Sequence, residues 1–538
     1  MTDLEIYKQI GGENFVPSKA QEEIFEFVKH GIGNGSVESR AGSGKSKTIE
    51  LACHFIPSNK TVLVLAYNVH IATHLRAKLC SLKNVTVLTY HSLGYKLIKS
   101  FNNKVELDEK KYIKYINSHI EYLCPDFNTF SNADKGRYIK NIEKLLDYSR
   151  YNLMQSEKEI AKMAIKYGIK VFSNECQAVR KIMKWGCENN DFVDYQDMIW
   201  LPYELGIINK YLKFDMIFID EAQDSSLAQQ HLIDMCMKRN TRFLLFGDSQ
   251  QMINAWAGSD EEAFTHFNNR PNVKKFKLTT SYRCSKKVAD LAKTIVPDFE
   301  AYEKAIDGEI NYNVPLNNIK PGDMVLCRLT SPLIKLYLNL MKEGKPVYIK
   351  GIEIGNNIIE TVDSYKTNDL NVVINSLKKN LITKWEEIAE IYKTDLKSVV
   401  GESDVVTLYD EILTLELLSD GISSVDDLEE YVNEIFVTKT KEIGIDDDKY
   451  IHLSTVHRAK GLEANNVFIL CPSLLPNKLA KKDWEIISEK NLVYVAWTRA
   501  KKTLNFISEK EFPPEKSYSG NDSLYNEFLK IKEDVEKK

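Results

Sequence analysis

Short runs dominated by apolar residues punctuate this chain: Val62–Ala66, Val85–Leu88, Phe214–Ile219 and Phe243–Phe246, then Met324–Cys327, Tyr450–Leu453, Val467–Leu470 and Leu504–Ile507. Runs of strand length without sustained polar alternation read as strands covered on both faces, the pattern of a parallel sheet. Two such groups predict an α/β chain with two parallel-sheet cores. Between the runs the period changes. Ile113, Ile116, Ile120 and Leu123 stand at the three- and four-residue steps of one helix face, which predicts a mainly helical insertion in the first group. No apolar run approaches the roughly eighteen residues of a membrane span.

The 538 residues suggest several domains, and 43% hydrophobic content suffices for substantial cores. The net charge of −4 conceals a division along the chain. Residues 356–450 carry 22 acidic and 9 basic residues, which leaves the remainder at +9. Residues 92–190 carry 18 Lys/Arg against 12 Asp/Glu, with eight tyrosines between them. Basic composition with interleaved aromatics suits a surface that meets a nucleic acid backbone, and solvated lysine-rich helices give the same count. The nine cysteines are scattered, odd in number and without a C-x-x-C pair, which argues for reduced thiols and against zinc or iron–sulfur sites. The start lacks the basic and apolar regions of a signal peptide, so a cytoplasmic location is expected: nucleoid-associated or in a host cytosol if viral, nuclear if eukaryotic. There is no internal repeat, low-complexity tract or long Gly/Ser linker.

The chemistry concentrates at two places. Glu38-Ser39-Arg40-Ala41-Gly42-Ser43-Gly44-Lys45-Ser46 has the small residues that let backbone N–H groups surround phosphates. Lys45 would reach the terminal phosphates and the Ser46 hydroxyl would take one position on Mg²⁺. A glycine-rich surface turn is the plainer alternative, and Ser39 stands where the outermost glycine of the pattern is usual. Downstream, the apolar run Phe214–Ile219 ends in Asp220-Glu221-Ala222-Gln223-Asp224. Carboxylates at the end of a buried strand are costly unless a cation or a reaction needs them. Asp220 is assigned to the metal and Glu221 to the attacking water. An acidic helix N-terminus is the alternative here.

Five further segments follow in order: Pro17–Gln21; Leu245–Gln251 with Ile253, Trp256 and Gly258; Leu278–Arg283; Ser454–Glu463; and Tyr494–Ala500. Together with the two sites, this series resembles the motifs of superfamily 1 DNA helicases of the UvrD/Rep/PcrA type over about residues 15–505. Val37-Glu38, Ala66–Ala72 and Thr89–Gly94 look closest to its F-box helicase and phage branch. The resemblance implies two RecA-like cores of the P-loop NTPase fold, each interrupted by an insertion. The first core would comprise about 1–91 and 191–275 around a basic helical insertion at 92–190. The second would comprise 276–355 and 451–510 around an acidic insertion at 356–450, followed by a tail over 511–538. The lysine-rich end of that tail, Lys530–Lys538, reads as a frayed helix in preference to a DNA-binding tail.

By position, the resemblance implies that Gln21 contacts adenine, Tyr282 stacks on it and Glu463 lies near the ribose. Ala41, Gly42, Ser43, Gly44, Lys45, Ser46 and Lys47 would hold the phosphates, and Gln251 would sense the γ-phosphate. Arg283 and Arg499 would reach that phosphate from the second core domain. Tyr67, Asn68, His91, Trp256 and His457 would line a single strand, where aromatic faces stack on bases without reading sequence. Asn254 and Ala257 depart from the tyrosine and arginine usual beside Trp256.

The expected activity is an ATP- and Mg²⁺-dependent motor on single-stranded DNA that unwinds duplexes in replication, recombination or repair, with 3'→5' polarity implied by the family alone. Its partners would be single strands, single/double-strand junctions and possible replication or recombination proteins, with no membrane and a monomer favoured. The competing readings are a translocase that strips bound proteins, an RNA-directed motor, and a DNA-binding scaffold that does not hydrolyse ATP.

Overall fold

The structure is a computed structural model that describes residues 3–537, apart from 13–14, 131, 168, 172–173, 254–266, 350–351, 439–447 and 481. It divides into two compact units, Met1–Thr279 and Thr280–Lys538. The strands, in chain order, are β1 Asn34–Ser39, β2 Val62–Ala66, β3 Val85–Thr89, β4 Glu106–Leu107, β5 Phe192–Val193, β6 Phe214–Ile219, β7 Met237–Gly247 and β8 Val273–Leu278 in the first unit. In the second unit they are β9 Thr280–Ser281, β10 Glu300–Ala301, β11 Glu309–Val314, β12 Met324–Cys327, β13 Val347–Ile349, β14 Ile451–Thr455, β15 Ala464–Ile469 and β16 Ala500–Ile507. Each unit holds a six-stranded, all-parallel sheet, in the order β3-β2-β6-β7-β1-β8 in the first and β11-β16-β15-β12-β14-β13 in the second. The α/β class with two parallel-sheet cores is therefore as expected, and every apolar run named above falls on a strand of one sheet or the other, with small shifts at the ends.

In the first unit, alternate strand residues feed two cores. Val62, Val64, Phe218 and Phe246 pack with Ile24, Phe25 and Ile49 on one face. Leu63, Leu65, Ile217, Ile219 and Leu245 pack on the other with Leu93, Ile116, Ile142, Val179 and Ile182 from residues 92–190. The helical segment thus shares its core with the sheet. It is further tied by a buried ionic cluster: Lys111 Nζ lies 2.7 Å and Arg150 Nη1 3.2 Å from the Asp197 carboxylate, to which the Tyr112 hydroxyl also donates at 2.5 Å.

The single helix face expected over Ile113–Leu123 is corrected. Two short helices occupy Lys111–Ser118 and Ile120–Leu123, broken at His119, whose N–H turns back to Tyr115 and Ile116. The buried face runs through Tyr112, Tyr115 and Ile116, because Tyr115 stacks on Trp185 with ring centroids 3.9 Å apart.

In the second unit the acidic segment likewise shares a core with the sheet. Trp385, Tyr409 and Ile412 pack with Val325, Leu453 and Leu470. The lysine-rich end, 530–537, continues a longer helix that is anchored upstream of it. Asn521–Lys537 is a helix whose Leu524, Phe528 and Ile531 are buried, with Phe528 edge-on to Trp385 at 5.4 Å. No helix among the described residues is long and apolar enough to cross a membrane.

Candidate nucleotide and nucleic-acid site

In a parallel sheet the carboxyl ends of the strands open toward ligands. The first unit places nearly all its candidate residues there. Residues 40–44 leave β1, Asp220 and Glu221 leave β6, and Asp248 and Gln251 leave β7. Tyr67 and Asn68 leave β2, and His91 follows β3.

The loop after β1 is set by its glycines. Gly42 and Gly44 have φ of 71° and 81°, a region where a side chain is strained, and Gly44 caps a helix that begins at Lys45. That helix start leaves backbone N–H groups pointing toward the loop, a ready site for phosphate. Ala41 and Ser43 are buried and Ser46 is exposed at the helix's second position. Lys45 Nζ lies 2.5 Å from Glu221 and 3.3 Å from Asp220. Burial would depress the Lys45 ammonium, but the Glu221 and Asp220 carboxylates outweigh it and hold its pKa above the ordinary value. Burial raises the Asp220 carboxyl above its ordinary range, with Lys45 opposing and Glu221 adding to the rise. Glu221 itself sits in left-handed backbone, φ 51° and ψ 42°, the kind of strain that accompanies a functional turn.

Two observations test the fit of a magnesium nucleotide. Asp220 Oδ2 and Ser43 Oγ are buried without a hydrogen-bond partner, and the cation seated against both acids, Lys45, is one that a phosphate would draw away. Both suit a ligand that brings a hard cation to Asp220 and phosphate oxygens to Lys45. Lys47 is directed elsewhere, to Ile10 O and to Glu50 at 3.1 Å, so what it offers a nucleotide is its main-chain N–H. Gln21 is 2% exposed; its Oε1 accepts from Ser18 N at 3.0 Å and its Nε2 donates to Thr48 Oγ1 at 2.9 Å. One hydrogen and one lone pair of the amide remain for a base edge.

A polar network that motif spacing alone does not reveal surrounds these groups. Gln223 Nε2 donates to Glu221 at 2.7 Å, and Gln223 Oε1 accepts from Asp248 N at 3.1 Å. Asp248 accepts from Gln251 Nε2 at 2.7 Å and from Arg40 Nη1 at 2.9 Å. The available signal was a polar tip on an apolar strand, repeated after β1, β6 and β7.

Toward the other side of the same sheet, Tyr67 is 39% exposed. Asn68 is exposed and caps the helix Val69–Leu79, with its Oδ1 accepting from Ile71 N at 2.9 Å. His91 is half-buried and lies edge-on to Tyr195, with centroids 5.9 Å apart. Burial lowers its pKa and Asp194 opposes that. Tyr195, 47% exposed at the start of its helix, is a candidate surface aromatic that the motif reading passed over. Trp256, with Asn254 and Ala257, lies outside the described residues.

In the second unit the candidates separate by sheet end. Arg283 Nε binds Glu463 at 2.6 Å and Glu463 also pairs with Lys501 at 2.7 Å; Glu463 and Arg499 precede β15 and β16, at the amino end. Tyr282 is 46% exposed and packs against Tyr302. Arg499 is buried, donating to Val495 O at 2.9 Å and Leu462 O at 3.1 Å, and burial with neighbouring Arg283 lowers its pKa to about 9. His457 follows β14, at the carboxyl end.

Comparison with known proteins accords with this geometry. The UvrD/REP helicase N-terminal domain matches residues 20–272 and the UvrD-like helicase C-terminal domain matches residues 450–507. The chain is 23% identical over 608 aligned positions to the ATP-dependent DNA helicase Rep of Buchnera aphidicola subsp. Acyrthosiphon pisum, across 87% of this chain and 91% of that protein. It is 22% identical to a probable DNA helicase II homolog of Mycoplasma genitalium, across 90% of this chain and 84% of that one. It is 26% identical to the Gabija protein GajB of Bacillus cereus, across 61% and 68%.

Proposed function

The chain belongs to the UvrD/REP helicase family and is an ATP-dependent DNA helicase of the Rep, UvrD and PcrA type, and from that premise we propose that it is a single-strand translocase, moving 3'→5' and parting duplex ahead of it. The observation that carries the reading is Lys45 lodged against Asp220 and Glu221 at the carboxyl ends of β1 and β6. Backbone N–H groups at Gly42–Ser46 would cradle the phosphates, and Asp220 with Ser46 would hold Mg²⁺, which supplies charge neutralisation when bound. Glu221 would orient and deprotonate the attacking water, held in place by Gln223. Gln21 would read the adenine edge, and Tyr282, Arg283, Glu463, Arg499 and Gln251 would serve the nucleotide as in the family.

Exposed Tyr67, and exposed Tyr195 edge-on to His91, support a sequence-tolerant track, since every base has a face to stack and a motor must hold any of them. The test is ATP hydrolysis with and without single-stranded DNA, alongside Lys45→Ala, followed by unwinding of duplexes with a 3' or a 5' tail. Strong DNA stimulation that vanishes in the variant, with unwinding from the 3' tail alone, is the expected result. Hydrolysis indifferent to DNA but driven by RNA would overturn it, and stimulation without strand separation would favour protein displacement.

A further inference from the structure

Arg40 lies inside the phosphate loop, and its buried guanidinium joins the ends of two neighbouring strands. Its Nη1 donates to Glu38 Oε1 at 2.7 Å, at the end of β1, and to Asp248 Oδ1 at 2.9 Å, just past β7. These strands are parallel neighbours, with Glu38 opposite Gly247. Both carboxylates have second duties. Glu38 accepts from Ser249 N at 3.0 Å and Ser249 Oγ at 2.6 Å. Asp248 accepts from Gln250 N at 3.1 Å and Gln251 Nε2 at 2.7 Å. From Asp248 the chain of contacts continues through Gln223 to Glu221.

Asp248 is fully buried and Arg40 is 9% exposed, so the pair is compensated internally and not by water. A buried carboxylate stripped of its cation is strongly unfavourable, and it must be protonated or shift. Here the same carboxylate also holds Gln251, and the Asp248 main-chain N–H holds Gln223, which in turn holds Glu221. We propose that Arg40 is a positioning residue for ATP hydrolysis: by fixing Asp248 between the loops after β1 and β7, it sets the places of Gln251 and Glu221 relative to the phosphate loop. The inference rests on the hydrolytic reading given above. The role assigned to Arg40 is positioning and not catalysis, since its Nη1 is committed to Glu38 and Asp248. Both bonds leave a single terminal nitrogen, whose two hydrogens serve one carboxylate each.

The experiment uses the full chain as Arg40→Gln, Arg40→Lys, Asp248→Asn and the double variant Arg40→Gln/Asp248→Asn. Single-strand-stimulated hydrolysis gives kcat and KM, binding of a fluorescent non-hydrolysable ATP analogue gives affinity, and thermal unfolding reports folding. Displacement of reacting groups by about 1 Å is worth on the order of 100-fold in rate. Arg40→Gln is therefore expected to lower kcat by about 10- to 100-fold while KM and analogue affinity stay within about threefold, with Arg40→Lys in between. The double variant is expected to be no slower than Arg40→Gln alone, because both substitutions break the same link. If the wild type hydrolyses ATP and Arg40→Gln keeps its kcat, or loses affinity in place of kcat, or the two losses multiply, the inference fails and the hydrolytic reading stands. Should Arg40→Gln unfold, Arg40→Lys decides on the same criteria, with Asp248→Asn beside it. A wild type that does not hydrolyse ATP overturns both.

Discussion

Lys45 Nζ approaches Glu221 to 2.5 Å and Asp220 to 3.3 Å, so the phosphate-loop lysine and the acids of β6 are mutual counter-ions in this structure. A nucleotide must compete with these carboxylates for the ammonium. Lys45→Ala is expected to reduce hydrolysis by at least about 100-fold, as loss of a preorganised charge does. It also leaves two acids without their cation and is expected to destabilise the first unit by up to about 3–5 kcal/mol. Adding Glu221→Gln should recover part of that stability in urea unfolding and none of the activity. Equal stability of the single and double variants would show that the pair is already screened.

Asp197 tests whether the helical insertion is fastened to the sheet by charge. Its carboxylate is fully buried and meets Lys111, Arg150 and the Tyr112 hydroxyl, while Arg150 also pairs with Asp194 at 2.8 Å. Asp197→Ala leaves two buried cations short of a partner, and about 3–5 kcal/mol of stability is expected to go with it. Asp197→Asn keeps the shape and part of the hydrogen bonding and should lose less. Denaturant unfolding of both variants is the check.

The strands and the phosphate loop were legible because each is a local pattern: an apolar run, two glycines before a lysine, an acid pair after β6. The helix face at Ile113–Leu123 was not. Periodicity could not foresee that Tyr115 would stack on Trp185, some seventy positions away, or that His119 would interrupt the helix. Nor did the segment at 92–190 declare that it would share a core with Leu63 and Ile217. Arg40 and Gln223 were visible as letters, but their shared partner Asp248 is assigned only by strand order, which places β7 between β1 and β6. The C-terminal lysines looked like a solvated end because hydrophobic Leu524, Phe528 and Ile531 are spaced on a face that only Trp385 and Tyr409 make meaningful.

That last face gives a direct stability prediction. Phe528 is fully buried between Trp385, at 5.4 Å, and Tyr409, at 5.2 Å. Phe528→Ala removes the ring from a shared core and is expected to cost about 3–5 kcal/mol. Lys532→Ala, on the same helix, breaks only a pair with Glu386 that water reaches, and should change stability by less than about 1 kcal/mol. A truly frayed end would show no difference between the two in denaturant titration.

His457 supplies the pH dependence. Desolvation, with the guanidinium groups of Arg328 and Arg458 adding to it, lowers its pKa from 6.5 to about 3 in the folded protein. The unfolded chain therefore binds the proton that the folded chain refuses between these values. Stability from this group is fully present above pH 6.5 and declines as pH falls toward 3, by up to about 1.4 kcal/mol per pH unit. His457→Gln should flatten that limb in urea midpoints measured from pH 7 to 4.5, and an unchanged slope would show that other groups govern it. The same shift fixes what His457 can offer a DNA strand. Neutral at pH 7, it presents a ring face or a ring nitrogen but no charge to a phosphate. His457→Gln is thus expected to weaken single-strand binding while leaving the salt slope of the affinity unchanged, whereas loss of a phosphate-neutralising cation would reduce that slope by nearly one.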